Sequence, residues 1–201
     1  MEVFKKMRRK LIAPVIALLA ALTLLTGCFG GQDLQSVSDA GGLFHVRVPD
    51  DWQANAQPQV LILYGDDKLP GSEQEAFEQL SIGMFVASQA SSDPVGPKLT
   101  ALMDARAKGR GWKSKQVSKP AEISIGGRPG FALDVSGTDA QGREFAGRAA
   151  LVRTGGSEVL VFAVAPQDTW DKRADEVETL FTEWYWHTGG SATEASAAVK
   201  P

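Results

Sequence analysis

Cys28 is the only cysteine in the 201 residues. No disulfide within the chain is available, so whatever folds is held by a hydrophobic core. That lone thiol stands directly behind a 15-residue apolar run, Leu11–Leu25, broken only by Thr23. Lys5, Lys6, Arg8, Arg9 and Lys10 precede the run. A basic segment, a short apolar stretch and a small-residue cut site are the parts of a secretory leader. The run is short for a spanning helix, which needs about 20 apolar residues. The expected leader is 1–27, and no second apolar run of spanning length follows it.

The four residues Leu25-Thr26-Gly27-Cys28 resemble the lipobox of bacterial lipoproteins. That resemblance implies a diacylglycerated Cys28 sulfur, cleavage before Cys28, and acylation of the new amine. One acyl chain holds a protein weakly to a bilayer, whereas two or three hold it stably. Cys28 is therefore the expected lipid attachment site, and the expected location is the extracytoplasmic face of the cell membrane. An ordinary secreted protein with a stray thiol is the alternative, but a leftover cysteine in an exported chain asks for a reason.

The leader holds five of the 21 Lys and Arg and one of the 24 Asp and Glu, so the remainder carries 16 positive and 23 negative side chains, net −7. An acidic body argues against a nucleic-acid partner, which needs a basic footprint. Residues 28–38, with Gly30, Gly31, Gln32, Ser36 and Ser38, read as a flexible lipidated tether. Residues 188–201 are built mostly from Gly, Ser, Thr, Ala and Glu, with Val199 the one large apolar residue, and read as a disordered tail. Between them, 39–187 is one domain's worth of chain.

Strand and helix signals alternate along that body. Phe44, Val46 and Val48 alternate with His45 and Arg47, a period-two strand stopped by Pro49. Val60–Tyr64 and Leu80–Ala87 are further apolar strands, separated by a loop over Gly65–Ser72. Ser91-Ser92-Asp93-Pro94 offers a cap for a helix to about Lys108, with Leu99, Leu102, Met103 and Arg106 on one face and Gly109 and Gly111 at its stop. Trp112–Val117 and Ala121–Ile125 are short extended candidates. Phe131–Thr138, Arg143–Arg153 and Glu158–Ala165 read as an antiparallel meander. Asp168 is placed to cap a last helix to about Trp184, with Trp170, Ala174, Val177, Leu180, Phe181 and Trp184 as its apolar stripe. The class this predicts is α+β, an antiparallel sheet covered by helices.

The opening Phe44-x-Val46-x-Val48-Pro49-x-x-Trp52 and the order of elements after it resemble PsbP-like domains, and in length and leader the LpqN-type lipoproteins of actinobacteria. The resemblance spans roughly Leu43–Trp186. It implies a PsbP-like α/β/α sandwich on a lipid anchor, acting as an envelope-tethered binding or accessory module. No catalytic constellation defines that family, so no active residue is carried onto this chain.

Residues able to carry chemistry are sparse. His45 and His187 are the two histidines and lie far apart in sequence, so neither a Ser-His-Asp arrangement nor a zinc site with three or four ligands is indicated. No metal and no cofactor is expected. Asp50-Asp51 suits a turn better than a facing pair of catalytic carboxylates. Gly109-Arg110-Gly111-Trp112-Lys113 lacks the Gly-Lys-Ser/Thr ending of a phosphate loop and follows a helix instead of a strand.

Two features stand out as contact candidates. Lys108, Arg110, Lys113, Lys115 and Lys119 gather positive charge within twelve positions of an acidic protein. A solvated face is the ordinary reading, and contact with anionic headgroups or an acidic envelope polymer the functional one. Trp184-Tyr185-Trp186 places three rings in a row, and rings of this kind dominate binding hot spots. Trp184 and Trp186 are accordingly candidate contacts, with packing under the sheet as the alternative. The function expected is a non-enzymatic binding module for an envelope component or protein partner. The competing expectation is a carrier or sensor of a lipid-like apolar ligand, which requires a cavity among Leu61, Leu63, Met84, Phe85 and Phe131.

Overall fold

The computed structural model describes residues 33–187. The expected leader, Cys28, the first part of the tether and the tail lie outside those residues. The described chain carries eleven strands and three helices. The strands are β1 (Leu34–Ser38), β2 (Phe44–Pro49), β3 (Gln53–Gln57), β4 (Val60–Tyr64), β5 (Ser81–Ala87), β6 (Ser114–Val117), β7 (Ala121–Ile125), β8 (Arg128–Thr138), β9 (Glu144–Thr154), β10 (Ser157–Pro166) and β11 (Trp184–Trp186). The helices are α1 (Glu73–Glu78), α2 (Val95–Arg110) and α3 (Gln167–Thr182).

An eight-stranded antiparallel sheet forms the middle layer, in the order β3-β4-β5-β10-β9-β8-β6, with β7 also paired to β8. The strand β8 is long enough to serve two partners, β7 along Arg128–Ala132 and β6 along Val135–Thr138. Both faces of the central strands are covered, which is why β9 and β10 read as nearly continuous apolar runs. Val159, Val161, Ala163 and Ala165 of β10 face one core, with Ala150 and Val152 of β9. Leu160, Phe162 and Val164 face the other, with Phe145, Ala149 and Leu151. The second core is closed by Leu99 and Met103 of α2. The first is closed by Val177, Leu180 and Phe181 of α3 together with Phe44, Val46 and Val48 of a small sheet ordered β1-β2-β11. Helix, sheet, and helix with a second sheet make three layers of an α+β fold.

Several expectations change on this frame. Residues 34–38 fall within the expected tether, but Leu34–Ser38 is a strand in full register with β2, from Leu34 opposite Pro49 to Ser38 opposite His45. The free edge of β2 needs hydrogen-bond partners, and Val37 packs on the core. Gln35 fastens the strand by donating from Nε2 to the Trp52 carbonyl at 2.6 Å and to those of Pro49 and Asp50 at 3.2 Å. The folded body therefore reaches back past Asp39.

Both long helices start differently from the sequence reading. The N-cap of α2 is Pro94 with no side-chain cap, because Asp93 Oδ2 instead accepts from Ser91 Oγ at 2.9 Å. The N-cap of α3 is Pro166, and Asp168 sits inside the first turn, where its charge still suits the helix dipole. The C-terminal stop of α2 is as read: Gly111 adopts φ 65°, and its N–H returns to the carbonyls of the last turn. In α1, a helix within a stretch that carried no assignment, Ser72 accepts from the Glu75 N–H at 3.2 Å while Glu75 accepts from Gly71 N–H at 2.7 Å.

The largest change is at the end of α3, which stops at Thr182. Trp184–Trp186 leaves the helix and pairs with β2, Trp184 opposite Val46 and Trp186 opposite Phe44. The β7–β8 turn presses against this strand: Gly126 has φ 54°, and a Cβ there would collide with the Trp184 carbonyl oxygen. Gly126→Ala is expected to cost at least about 1–2 kcal/mol from the left-handed backbone alone. Urea unfolding of the variant beside the parent checks this, and an unchanged midpoint would refute it.

Candidate functional site

The five clustered cations do not share one element. Lys108 and Arg110 occupy the last turn of α2 and are exposed. Two positions apart on a helix, they diverge by about 200°. Lys113 follows in the exit loop, with its backbone N–H bonded to Thr138 O at 2.9 Å. Lys115, on β6, turns back under α2 into an ion pair with Asp104. Lys119 is exposed beyond β6. Lys115 is thus tied to the fold; Lys108, Arg110 and Lys113 sit at the C-terminal end of α2, and Lys119 lies apart from them, next to Pro120, which packs at Gly96 near the start of the helix.

The aromatic triplet obeys strand alternation, not helical spacing. Trp184 is 2% exposed and Tyr185 41%. The ring of Trp184 lies 4.3 Å from that of Phe44 and 5.2 Å from that of Trp186. Trp186 is half-buried, donates from Nε1 to Ile125 O at 2.8 Å, and has Arg128 over its ring at 5.0 Å. Trp184 and Trp186 are therefore core-facing, and Tyr185 is the ring left for an external contact.

Tyr185 also gathers the two histidines. His45 stacks on it at 4.9 Å and 10°, and His45 Nδ1 lies 3.4 Å from His187 Nε2. Residues 142 apart in sequence meet because β11 pairs with β2 and the chain then carries His187 alongside. Among the described residues no group of three or more His, Cys, Asp and Glu is arranged to hold a metal ion.

The side chains proposed to line a lipid cavity divide between the two faces of the central sheet. Leu61, Leu63 and Met84 pack in the core under α3, whereas Phe131 packs against the core under α2. Phe85 pairs across the sheet with Val60 and Leu160 and shares that second face. The depressions in the surface are open and polar. One of about 580 Å³ is lined by Asp51, Asp66, Asp67, Lys68, Glu75 and Glu78 among others. Another of about 510 Å³ lies between β6, β8 and α3, at Gln116, Asp134, Trp170 and Asp171.

A further residue on the α2 side is one that sequence reasoning placed on the helix face and gave no role. Arg106 follows Leu99 and Met103 at helical spacing and so faces the sheet. Its guanidinium carbon lies 4.3 Å from the centroid of Phe162 and 5.5 Å from that of Phe85. Burial, and then the charge of Arg110 one turn on, pulls its pKa down to about 10, so it remains a cation at neutral pH. The one available signal was an arginine in an otherwise apolar helical stripe.

No protein-family profile matches the sequence, and no curated protein matches it. Solved structures do match in fold. Cyanobacterial PsbP (CyanoP) from Synechocystis sp. PCC 6803 superposes with a TM-score of 0.55 at 16% identity, covering 81% of this chain and 99% of its own. LpqN, involved in cell envelope biogenesis of Mycobacterium tuberculosis, superposes with a TM-score of 0.54 at 15% identity, covering 78% of this chain and 91% of its own. Likeness at this level of identity is likeness of architecture, and the architecture of this chain is the PsbP-like fold.

Proposed function

We propose that this protein is an extracytoplasmic lipoprotein, anchored through acylated Cys28, that serves as a non-enzymatic binding module for an envelope component or protein partner. The observation that carries the reading is the apolar leader ending in Leu25-Thr26-Gly27-Cys28 ahead of a PsbP-like body. Its fold neighbour LpqN, involved in cell envelope biogenesis, supports an envelope role. Among the described residues no helix is long and apolar enough to cross a membrane, so the acyl chains would supply the attachment. Lys108, Arg110 and Lys113 lie at the C-terminal end of α2 and offer an acidic partner its contacts, with Lys115 holding the strand beneath, while Lys119 lies toward the other end of the helix, where its neighbour Pro120 meets Gly96. Tyr185 and its two histidines offer a second, aromatic patch.

The anchor is tested by intact-mass analysis of the membrane-fraction protein beside Cys28→Ala. The expected result is a chain beginning at Cys28 with added acyl mass, and a variant lost from the membrane fraction. A parent released unacylated to the medium would remove the anchor and leave a soluble protein. Crosslinking from Lys108 and Lys119 then asks for the partner.

A further inference from the structure

The small sheet brings the two histidines of the chain together and holds both by their backbones. His45 of β2 stands opposite Tyr185 of β11. Two residues on, the His187 N–H donates to the Leu43 carbonyl at 3.0 Å. The His45 ring is stacked on Tyr185, with centroids 4.9 Å apart and 10° between the planes. The Tyr185 hydroxyl lies 3.3 Å from Glu183 Oε2, and Glu183 is paired with Arg47 at 3.5 Å. The spacing of the two imidazoles is specific. His45 Nδ1 and His187 Nε2 are 3.4 Å apart, beyond the range of about 2.7–3.2 Å that an N–H donor ordinarily keeps. The ring centroids are 5.1 Å apart and the planes are inclined by 45°. Imidazoles joined end to end by a straight hydrogen bond of that length would hold their centroids about 5.7 Å apart, so these rings are bent off that line. Two imidazole nitrogens about 2.05 Å from one tetrahedral zinc ion lie about 3.3 Å apart, with ring centroids about 5.2 Å apart.

We propose that His45 Nδ1 and His187 Nε2 are the two protein ligands of a surface zinc site, with water in the remaining positions. Neutral imidazole nitrogen suits this ion. His45 is half-buried and His187 exposed, so the ion enters directly from solvent. Structural and catalytic zinc sites hold three or four protein ligands. Two make a weaker, exchangeable site, whose affinity comes from ligands already set at the right separation. Tyr185 is a positioning residue, the surface on which the His45 ring rests, and Glu183 steadies Tyr185 in turn. The site does not depend on the Cys28 anchor or on a protein partner.

The test uses the untagged full chain in detergent, stripped of metal. Zinc is titrated by calorimetry in an excess of magnesium, which occupies carboxylates but not imidazoles. Cobalt(II) then replaces zinc as a spectroscopic probe of coordination. The parent is expected to bind one zinc ion per chain, to unfold at a higher temperature with zinc than without it, and to give the strong visible absorption of tetrahedral cobalt. His45→Gln and His187→Gln are each expected to weaken zinc about tenfold or more, since loss of a supporting residue alone costs that much, and to abolish the cobalt spectrum. Tyr185→Ala keeps both ligands and should weaken zinc less than either. Cys28→Ala removes the one thiol of the chain and should bind zinc as the parent does, whether or not Cys28 is acylated. A parent that does not bind zinc would overturn the proposal. So would binding that survives either histidine substitution undiminished, or binding that disappears in Cys28→Ala.

Discussion

Glu158→Ala is expected to destabilise the fold by about 3–5 kcal/mol at neutral pH, the usual cost of removing one member of a buried ion pair. Glu158 is 3% exposed at the start of β10. Its Oε1 accepts from Arg153 Nε at 2.8 Å across the β9–β10 hairpin, and its Oε2 is paired with Lys98 of α2. Arg153 also donates to the Asp93 carbonyl just ahead of α2. One carboxylate therefore fastens the N-terminal end of the helix to the hairpin beneath it, and its loss leaves two half-buried cations uncompensated. Burial pushes the Glu158 pKa up, but hydrogen bonds from Lys98 and Arg153, and the charge of Lys98, outweigh it and hold the group below its ordinary 4.5. The unfolded chain takes up the proton first as pH falls. The stability Glu158 contributes is thus complete above about pH 4.5 and is lost as pH drops through the lower folded value. Urea unfolding at neutral and acidic pH should show the gap between parent and Glu158→Ala shrinking on acidification. A gap independent of pH would refute the assignment. Glu158→Gln keeps an acceptor and should fall between the two at neutral pH.

Where the local pattern and the tertiary environment agree, the elements of this fold are legible in the chain. The alternation of Phe44, Val46 and Val48 with His45 and Arg47 is the buried and outward faces of β2. Val177, Leu180 and Phe181 form the buried stripe of α3. What escaped reading is set by partners distant in sequence. Leu34–Ser38 is polar enough to pass for a tether and becomes a strand because β2 offers an edge. Gln53–Gln57 has no large apolar side chain and is the edge strand of the central sheet. Trp184 continues the helical spacing of Leu180 and Phe181 and so looks like one more turn, yet pairing with Val46 takes it out of the helix. The site follows the same rule. Arg106 is visible on its helix face, but nothing local announces that Phe85 of β5 and Phe162 of β10 lie under it. The neutralisation of Lys115 by Asp104 is equally invisible in a run of positive charge.

The two tryptophans of β11 should respond to substitution for different reasons, and the difference separates packing from hydrogen bonding. Trp184→Ala is expected to cost about 3–5 kcal/mol, the range for truncating a large buried ring. Trp184 packs against Phe44 and Trp186 where α3, β2 and the β7–β8 turn converge. Its buried Nε1–H has no hydrogen-bond acceptor among the described residues, so the indole gains nothing there from its polar atom. Trp184→Phe keeps most of the ring and removes an unsatisfied donor, and should retain most of the stability lost by the alanine variant. Trp186 is more exposed, yet its Nε1 donates to Ile125 O at 2.8 Å and locks β11 to the end of β7. Trp186→Phe removes that bond and should cost about 1 kcal/mol despite the smaller burial. Urea unfolding of the three variants checks the set. Trp184→Phe as damaging as Trp184→Ala would mean that the indole nitrogen has a partner after all. Trp186→Phe without cost would mean that the Ile125 bond contributes nothing and that the end of β11 is held by its ladder with β2 alone.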